Sequence, residues 1–220
     1  AWDYMLKPVQ DMAVLEHSIV KGIEKQRLVV ENEKIRRTLQ EDQEAARSVQ
    51  EKIHPPKHFD APIFSLEQSV LPSLYLSGDF VDYFELDNRY FIFYLADVSG
   101  HGSSAAFLTV LIRTYIRDLK SKYQHGHKSV ALLDPTRLLA ELSEEVFEAK
   151  LGKYLTLLYF IFDQEELKLT YSVGGHYPNP IIIQDQKAKY LPGHGYPIGI
   201  LKDATFETEQ LQLEKPVQIA

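Results

Sequence analysis

From Leu28 to Ile53 the chain carries neither glycine nor proline and is rich in Glu, Gln, Arg and Lys, and Pro55-Pro56 follow almost at once. Nothing in that stretch breaks an α-helix. A 4-3 spacing runs through Leu28, Asn32, Ile35, Leu39, Asp42, Ala46, Val49 and Ile53. Six of these eight positions are apolar, which suits a coiled-coil seam of more than three heptads. Asn32 on that seam would set the register and favour a parallel dimer at some cost in stability. The other reading is one amphipathic helix lying on the domain that follows. Length and polar flanks favour the coiled coil, and with it a homodimer. The prolines end the helix, because a residue before proline is pushed out of helical geometry.

This stretch, residues 28–56, separates two zones of different composition. Residues 1–27 open with Trp2-Asp3-Tyr4-Met5-Leu6-Lys7-Pro8, then place Met12, Leu15, Ile19 and Ile23 on one helix face. The opening residues are too few for a domain and read as the last strand of something cut off. Residues 57–220 read as a globular domain. Tyr90 to Ala96 is a buried strand by its aromatic and aliphatic content. Ser103 to about Lys122 is a long helix, with Ser103 as N-cap and Phe107, Val110, Leu111 and Tyr115 on its apolar face. Asp134-Pro135 is an N-cap followed by proline at the first helical position, opening a helix to about Ala149. Leu155 to Phe162 is a second apolar strand. Leu167, Leu169, Tyr171 and Val173 alternate as on a half-buried strand, with a turn at Glu165-Glu166 between the two. Short strands follow near Ile181, Tyr190, Leu211 and Val217. Strand pairs with two long helices predict an α+β layered domain.

Bulk composition narrows the function. The 220 residues are 45% hydrophobic and 25% charged, enough for one domain plus an appendage. A net charge of −7 offers no electrostatic footprint for nucleic acid. Without cysteine there is neither a disulfide framework nor a thiolate metal site. No apolar run is long enough to span a bilayer, and the amino terminus lacks the layout of a signal peptide. The expectation is a soluble cytoplasmic protein with no membrane insertion.

The chemistry concentrates in Ser77-Gly78-Asp79-Phe80-Val81-Asp82 and Ala96-Asp97-Val98-Ser99-Gly100-His101-Gly102. Asp97 follows the apolar strand directly and precedes a glycine-rich turn into the Ser103 helix. A carboxylate at a strand end reaches into a cleft while its backbone is held rigidly. The amides opening the helix attract anions. A hairpin turning near Asp87-Asn88 would fold Asp79 back towards Asp97. With no Cys available, clustered carboxylates point to hard cations such as Mg²⁺ or Mn²⁺. An Asp before Gly is also a common turn residue, and the residues alone leave both readings open. His101 reads either as a ligand or proton donor or as a turn residue, and His176 as a turn-former. Ser99 has no triad around it, which argues against a Ser-His-Asp hydrolase.

Five ordered motifs carry a specific resemblance. They are Ser77-Gly78-Asp79 through Asp82; Asp97 to Gly102 with Ala105-Ala106; Tyr154-Leu155-Thr156-Leu157; Gly174-Gly175-His176-Tyr177-Pro178; and Gly195-Tyr196-Pro197-Ile198-Gly199. Together they resemble the PPM-type metal-dependent Ser/Thr phosphatases of the subfamily typified by SpoIIE and RsbU, over about Phe59 to Ala220. The resemblance implies an αββα sandwich. It implies two Mn²⁺ or Mg²⁺ ions bridged by Asp97 and a water or hydroxide. Asp79 and the Val98 backbone carbonyl are further ligands, and Asp82 has a weaker role. A hydroxide would attack phosphorus in line, without a phosphoenzyme. The implied substrate is a phosphorylated STAS-type anti-sigma-factor antagonist. Asp3 to Pro8 with the following helix resembles the end of a response-regulator receiver domain, with Lys7 matching the lysine that contacts its phosphoryl group. The implied order is receiver, coiled-coil linker, phosphatase.

One departure from the family pattern matters. The family has a later strand ending in Asp-Gly and another Asp near its carboxyl end, both supplying metal ligands. Here the sequence stops at Val217-Gln218-Ile219-Ala220, about where the strand feeding the first should run. The expectation is a domain truncated before its last ligand motifs, with an empty or poorly occupied metal site and little activity. The alternatives are a non-catalytic module of the same fold that sequesters its partner, and a nucleotidyl cyclase. The cyclase reading rests only on the echo of a Gly-Gly-Asp signature in Ser77-Gly78-Asp79-Phe80.

Overall fold

The computed structural model describes residues 12–71, 75–127, 131–213 and 216–220. Lys7 and the strand expected to carry it fall on residues 1–11, outside the described residues. The chain divides into two compact units, residues 1–46 and 47–220. Helix α1 (Met12–Ile53) is unbroken through the expected boundary at residues 27 and 28. Arg37 to Glu41 and Arg47 to Glu51 pair at i,i+4 spacing along it, each contact adding a few tenths of a kcal/mol to the helix. Leu28, Ile35, Leu39 and Val49 are all more than half exposed. Asn32 and Asp42 are exposed and Ala46 is half-buried. Ile53 departs from the expected seam: it packs against the hydrophobic core of its own globular unit. That unit accordingly begins at Arg47 rather than at Lys57. Among the described residues no helix is long and apolar enough to cross a membrane.

Strands β1 (His58–Asp60) and β2 (Ser65–Glu67) form a small hairpin. Then come β3 (Asp79–Leu86), β4 (Tyr90–Val98), α2 (Ser103–Gln124), α3 (Pro135–Glu148), β5 (Leu155–Asp163), β6 (Lys168–Gly174), β7 (Ile181–Gln184), β8 (Lys187–Tyr190), β9 (Glu209–Gln212) and β10 (Gln218–Ile219). The main sheet has five strands in the order β3-β4-β5-β6-β9, and a second sheet has the order β10-β7-β8. All pairings are antiparallel. Because side chains alternate across a strand, the main sheet feeds two cores. Phe80, Tyr94, Tyr159 and their neighbours pack under α2 and α3. Phe91, Phe160, Tyr171 and their neighbours pack on the other face, against the β1–β2 hairpin and Ile182 and Ile219 of the small sheet. The architecture is the expected α+β layered one, with the long amino-terminal helix.

Local signals explain most boundaries. Asp87 and Asn88 both have positive φ, 54° and 56°, the pair of left-handed residues a type I′ hairpin turn requires. The Asp134 side chain accepts a hydrogen bond from the Arg137 amide at 3.1 Å, with Pro135 in the first turn of α3. Three expectations are corrected. The N-cap position of α2 is Gly102, with no side-chain capping bond, so Ser103 is already helical. The buried stripe of α2 runs through Ala105, Leu108, Ile112, Ile116 and Leu119, while Phe107 and Leu111 are exposed. Apolar residues surround this helix on both sides, and only the sheet beneath decides which side is covered. Leu167 belongs to the turn before β6, with φ 49°, and is exposed rather than inward-facing.

Candidate metal and phosphate site

Asp79 is the first residue of β3 and Asp97 the last but one of β4, and the hairpin register sets them directly opposite each other. Opposed residues in an antiparallel pair bring their Cα atoms to about 4.5–5.5 Å, with both side chains on the same face. Asp97 is in turn opposite Thr156 of β5. Three polar side chains thus form a row across three strands at one end of the main sheet. Asp79 and Asp97 are both exposed to solvent. Partial desolvation at the strand end, then the neighbouring Asp79 carboxylate, push the Asp97 carboxyl above the usual carboxylate range, with His176 acting the other way.

His176 lies in the turn after β6, half-buried, with Nδ1 at 2.8 Å from Thr156 Oγ1. Burial lowers its pKa, against the attraction of Asp97 and Asp79. The reading of His176 as a turn-former missed this side-chain placement. Its glycine-rich setting predicts the turn, but its approach to Asp97 depends on β4, β5 and β6 lying side by side.

The loop after β4 is held from below. Ser99 donates its amide to the Tyr154 carbonyl at 2.8 Å, and its Oγ accepts the Tyr154 amide at 3.1 Å. Lys153 Nζ donates to the Ser99 carbonyl at 2.9 Å. Gly100 has φ 77°, and a Cβ there would lie 2.6 Å from Lys153 Nζ. The loop delivers the chain into α2, whose opening amides have no side-chain cap. Such amides, at the positive end of the helix dipole, are an anion site in waiting. His101 is exposed in this loop. The Val98 carbonyl lies against the Cα of Gly78, where a Cβ would come within 2.7 Å of it.

Asp82 does not join this group. It sits three residues beyond Asp79, on the face of β3 that packs beneath α2, and is fully buried. Arg117 donates to both of its oxygens at 3.1–3.3 Å, Arg113 Nε approaches Oδ2 at 3.4 Å, and Tyr94 Oη donates to Oδ2 at 3.3 Å. Its carboxylate is committed to tying β3 and β4 to α2. The expectation of a weaker metal role for Asp82 is therefore corrected, because an odd spacing along a strand reverses the face.

The donor chemistry suits a hard cation. Mg²⁺ is commonly bound through one or two carboxylates with the remaining positions filled by water and substrate phosphate. The opposed Asp79 and Asp97 carboxylates repel each other until a cation lies between them. Among the described residues no group of three or more His, Asp or Glu side chains is gathered to hold a metal. Among the described residues, the carboxylates that meet at this end of the sheet are those of Asp79 and Asp97.

Comparison with known proteins points the same way. The family model for stage II sporulation protein E (SpoIIE) matches residues 87–219. Phosphoserine phosphatase RsbP of Bacillus subtilis is 28% identical over 138 residues, covering 62% of this chain and 33% of RsbP. Protein IcfG of Synechocystis sp. is 25% identical over 192 residues, covering 78% of this chain and 30% of IcfG. The chain thus spans about a third of the length of these relatives. The SiaA-PP2C domain of Pseudomonas aeruginosa superposes with a TM-score of 0.64 at 18% identity, covering 84% of this chain and 71% of that domain. That likeness is one of fold.

Proposed function

The chain belongs to the SpoIIE family, and from that premise we propose that it is a metal-dependent phosphatase domain that removes phosphate from Ser or Thr of a partner protein. The observation that carries the reading is the direct opposition of Asp79 and Asp97 at the open end of the main sheet. These carboxylates, with the Val98 carbonyl, would hold two Mg²⁺ or Mn²⁺ ions. Bound, the ions acidify a water molecule and neutralise phosphate charge. The residues of the chain do the rest. Paired strand ends hold the two residues in register, which lowers the ordering cost of ion binding. The opening amides of α2 attract phosphate oxygens, and Lys153, fastened to Ser99, adds positive charge beside them. Thr156 orients His176 through Nδ1, leaving Nε2 for a second partner.

A phosphoserine substrate is supported by the name of the relative RsbP, a phosphoserine phosphatase. The family resemblance supports a phosphorylated STAS-type anti-sigma-factor antagonist as partner. The exposed Leu28, Ile35 and Leu39 of α1 support dimerisation through a coiled coil. The resemblance of Asp3 to Pro8 to a receiver terminus, with Lys7 as its phosphoryl-contacting lysine, supports control by an upstream receiver. In that scheme receiver phosphorylation changes how α1 holds two phosphatase domains.

The test is phosphate release from a phosphoserine STAS protein with and without Mn²⁺. It should be run on the chain and on the chain extended by the carboxyl-terminal Asp-Gly strand and Asp that the family carries. Release that requires Mn²⁺ and is lost in Asp97→Asn is the expected result. Tight binding of the phosphoprotein by the extended chain, with no release at any Mn²⁺ concentration, would instead make it a sequestering module.

A further inference from the structure

Gln50 is the one buried residue in the 42 residues of α1, at 7% exposure. A helix that buries a single side chain would ordinarily bury an apolar one. Here the buried group is an amide, and it makes two hydrogen bonds to one residue far along the chain. Its Nε2 donates to the Ser77 carbonyl at 2.8 Å, and its Oε1 accepts the Ser77 amide at 3.0 Å. A carboxamide copies a peptide group, so Gln50 pairs with Ser77 as a neighbouring strand would. Ser77 then passes the constraint on. Its Oγ accepts the Asp79 amide at 3.0 Å. Between them, Gly78 accepts the Val98 amide at 3.1 Å and lies too close to the Val98 carbonyl to carry a side chain. The two residues before Asp79 are thereby held between the last turn of α1 and the end of β4.

We propose that Gln50 is a positioning residue for Asp79, and that the last turn of α1 thereby sets the cation affinity of the site. The inference deepens the phosphatase reading and rests on it, since it takes Asp79 as a cation ligand. It also names the physical link through which movement of α1 reaches the chemistry. Sliding α1 by one residue moves it about 1.5 Å and turns it by about 100°, which breaks both Gln50 bonds together. The helix end has other anchors: Ile53 packs in the core, and the His54 ring lies 5.0 Å from that of Phe80. Loss of the Gln50 amide therefore frees Ser77 without detaching the helix.

The experiment is Mn²⁺-induced broadening of the amide signals of residues 77–79 and 97–98 in the whole chain, a readout that works at weak affinity. Hydrogen exchange at Ser77 and Asp79 is measured alongside. Gln50→Met keeps the length of the side chain and removes both bonds. It should speed exchange at the two amides and weaken Mn²⁺ binding about tenfold, the scale seen when a partner orienting a metal ligand is lost. Should Gln50→Met fail to fold, Ser77→Ala, which deletes only the Oγ bond to Asp79, should speed exchange at Asp79 but not at residue 77, and weaken Mn²⁺ binding to a similar extent. Wild-type Mn²⁺ affinity in these variants, with Asp97→Asn abolishing the response, would overturn the inference and leave the phosphatase reading standing. No Mn²⁺ response in the wild type, either in this chain or in the chain extended by the family's carboxyl-terminal Asp-Gly strand and Asp, would sink both.

Discussion

Replacing Asp82 with alanine should cost the fold about 3 kcal/mol while leaving cation binding at Asp79 and Asp97 in place. The magnitude follows from what the carboxylate touches. Breaking a fully buried ion pair by removing one member costs about 3–5 kcal/mol. Asp82 is 0% exposed, but its partners Arg113 and Arg117 are 28% and 40% exposed. Both guanidinium groups can recover some water, which pulls the cost toward the low end. Against that relief, Tyr94 is 1% exposed, and its hydroxyl would lose the Asp82 acceptor. Leaving a buried hydroxyl unsatisfied costs about 1–3 kcal/mol. For a domain of this size about 3 kcal/mol lowers Tm by roughly 6–12 °C. Thermal unfolding by circular dichroism measures it, with Mn²⁺ broadening of the residue 79 and 97 amides recorded well below the transition. A variant that melts within 2 °C of wild type but has lost the Mn²⁺ response would refute the assignment of Asp82 to structure.

Three further outcomes are expected. Asp163 is partly buried but accepts a bidentate pair of bonds from Arg89, Nε to Oδ1 and Nη2 to Oδ2, and bonds from two backbone amides, which hold its carboxyl below the usual range. Its stabilisation is present above the unfolded carboxylate pKa and is lost as pH falls through the depressed folded value. Arg89→Ala should therefore lower the urea midpoint at pH 7 and have little effect at pH 2, and equal effects at both would count against the pairing. Gly78→Ala places a Cβ 2.7 Å from the backbone oxygen of Val98. It should shift the end of β3, lower Tm and weaken Mn²⁺ binding several-fold, read from the broadening of the residue 79 and 97 amides; wild-type broadening would count against the close approach. On the proposed coiled-coil dimer and receiver control, replacing Ile35 and Leu39 together with glutamate should leave a monomer by sedimentation velocity and uncouple phosphatase activity from the receiver. A chain that stays dimeric would place its contact elsewhere.

Spacing, punctuation and end signals alone were enough to place the long helix, the Asp87-Asn88 hairpin, the capped α3 and the two apolar strands. Those features are local, so a one-dimensional pattern carries them: a φ preference, a cap or a period. The opposition of Asp79 and Asp97 was also within reach, since a hairpin turn of known place sets its own register. What lay out of reach depends on which surfaces meet. Whether Asp82 faces the site or the helix is decided by packing under α2, and Arg113 and Arg117 come from a helix some thirty residues away. The same holds for the exposed Phe107, for His176 beside Asp97, and for Gln50 against Ser77, 27 residues apart. Each is a contact between elements distant in sequence, and a linear pattern records what a side chain is without recording what the fold sets beside it.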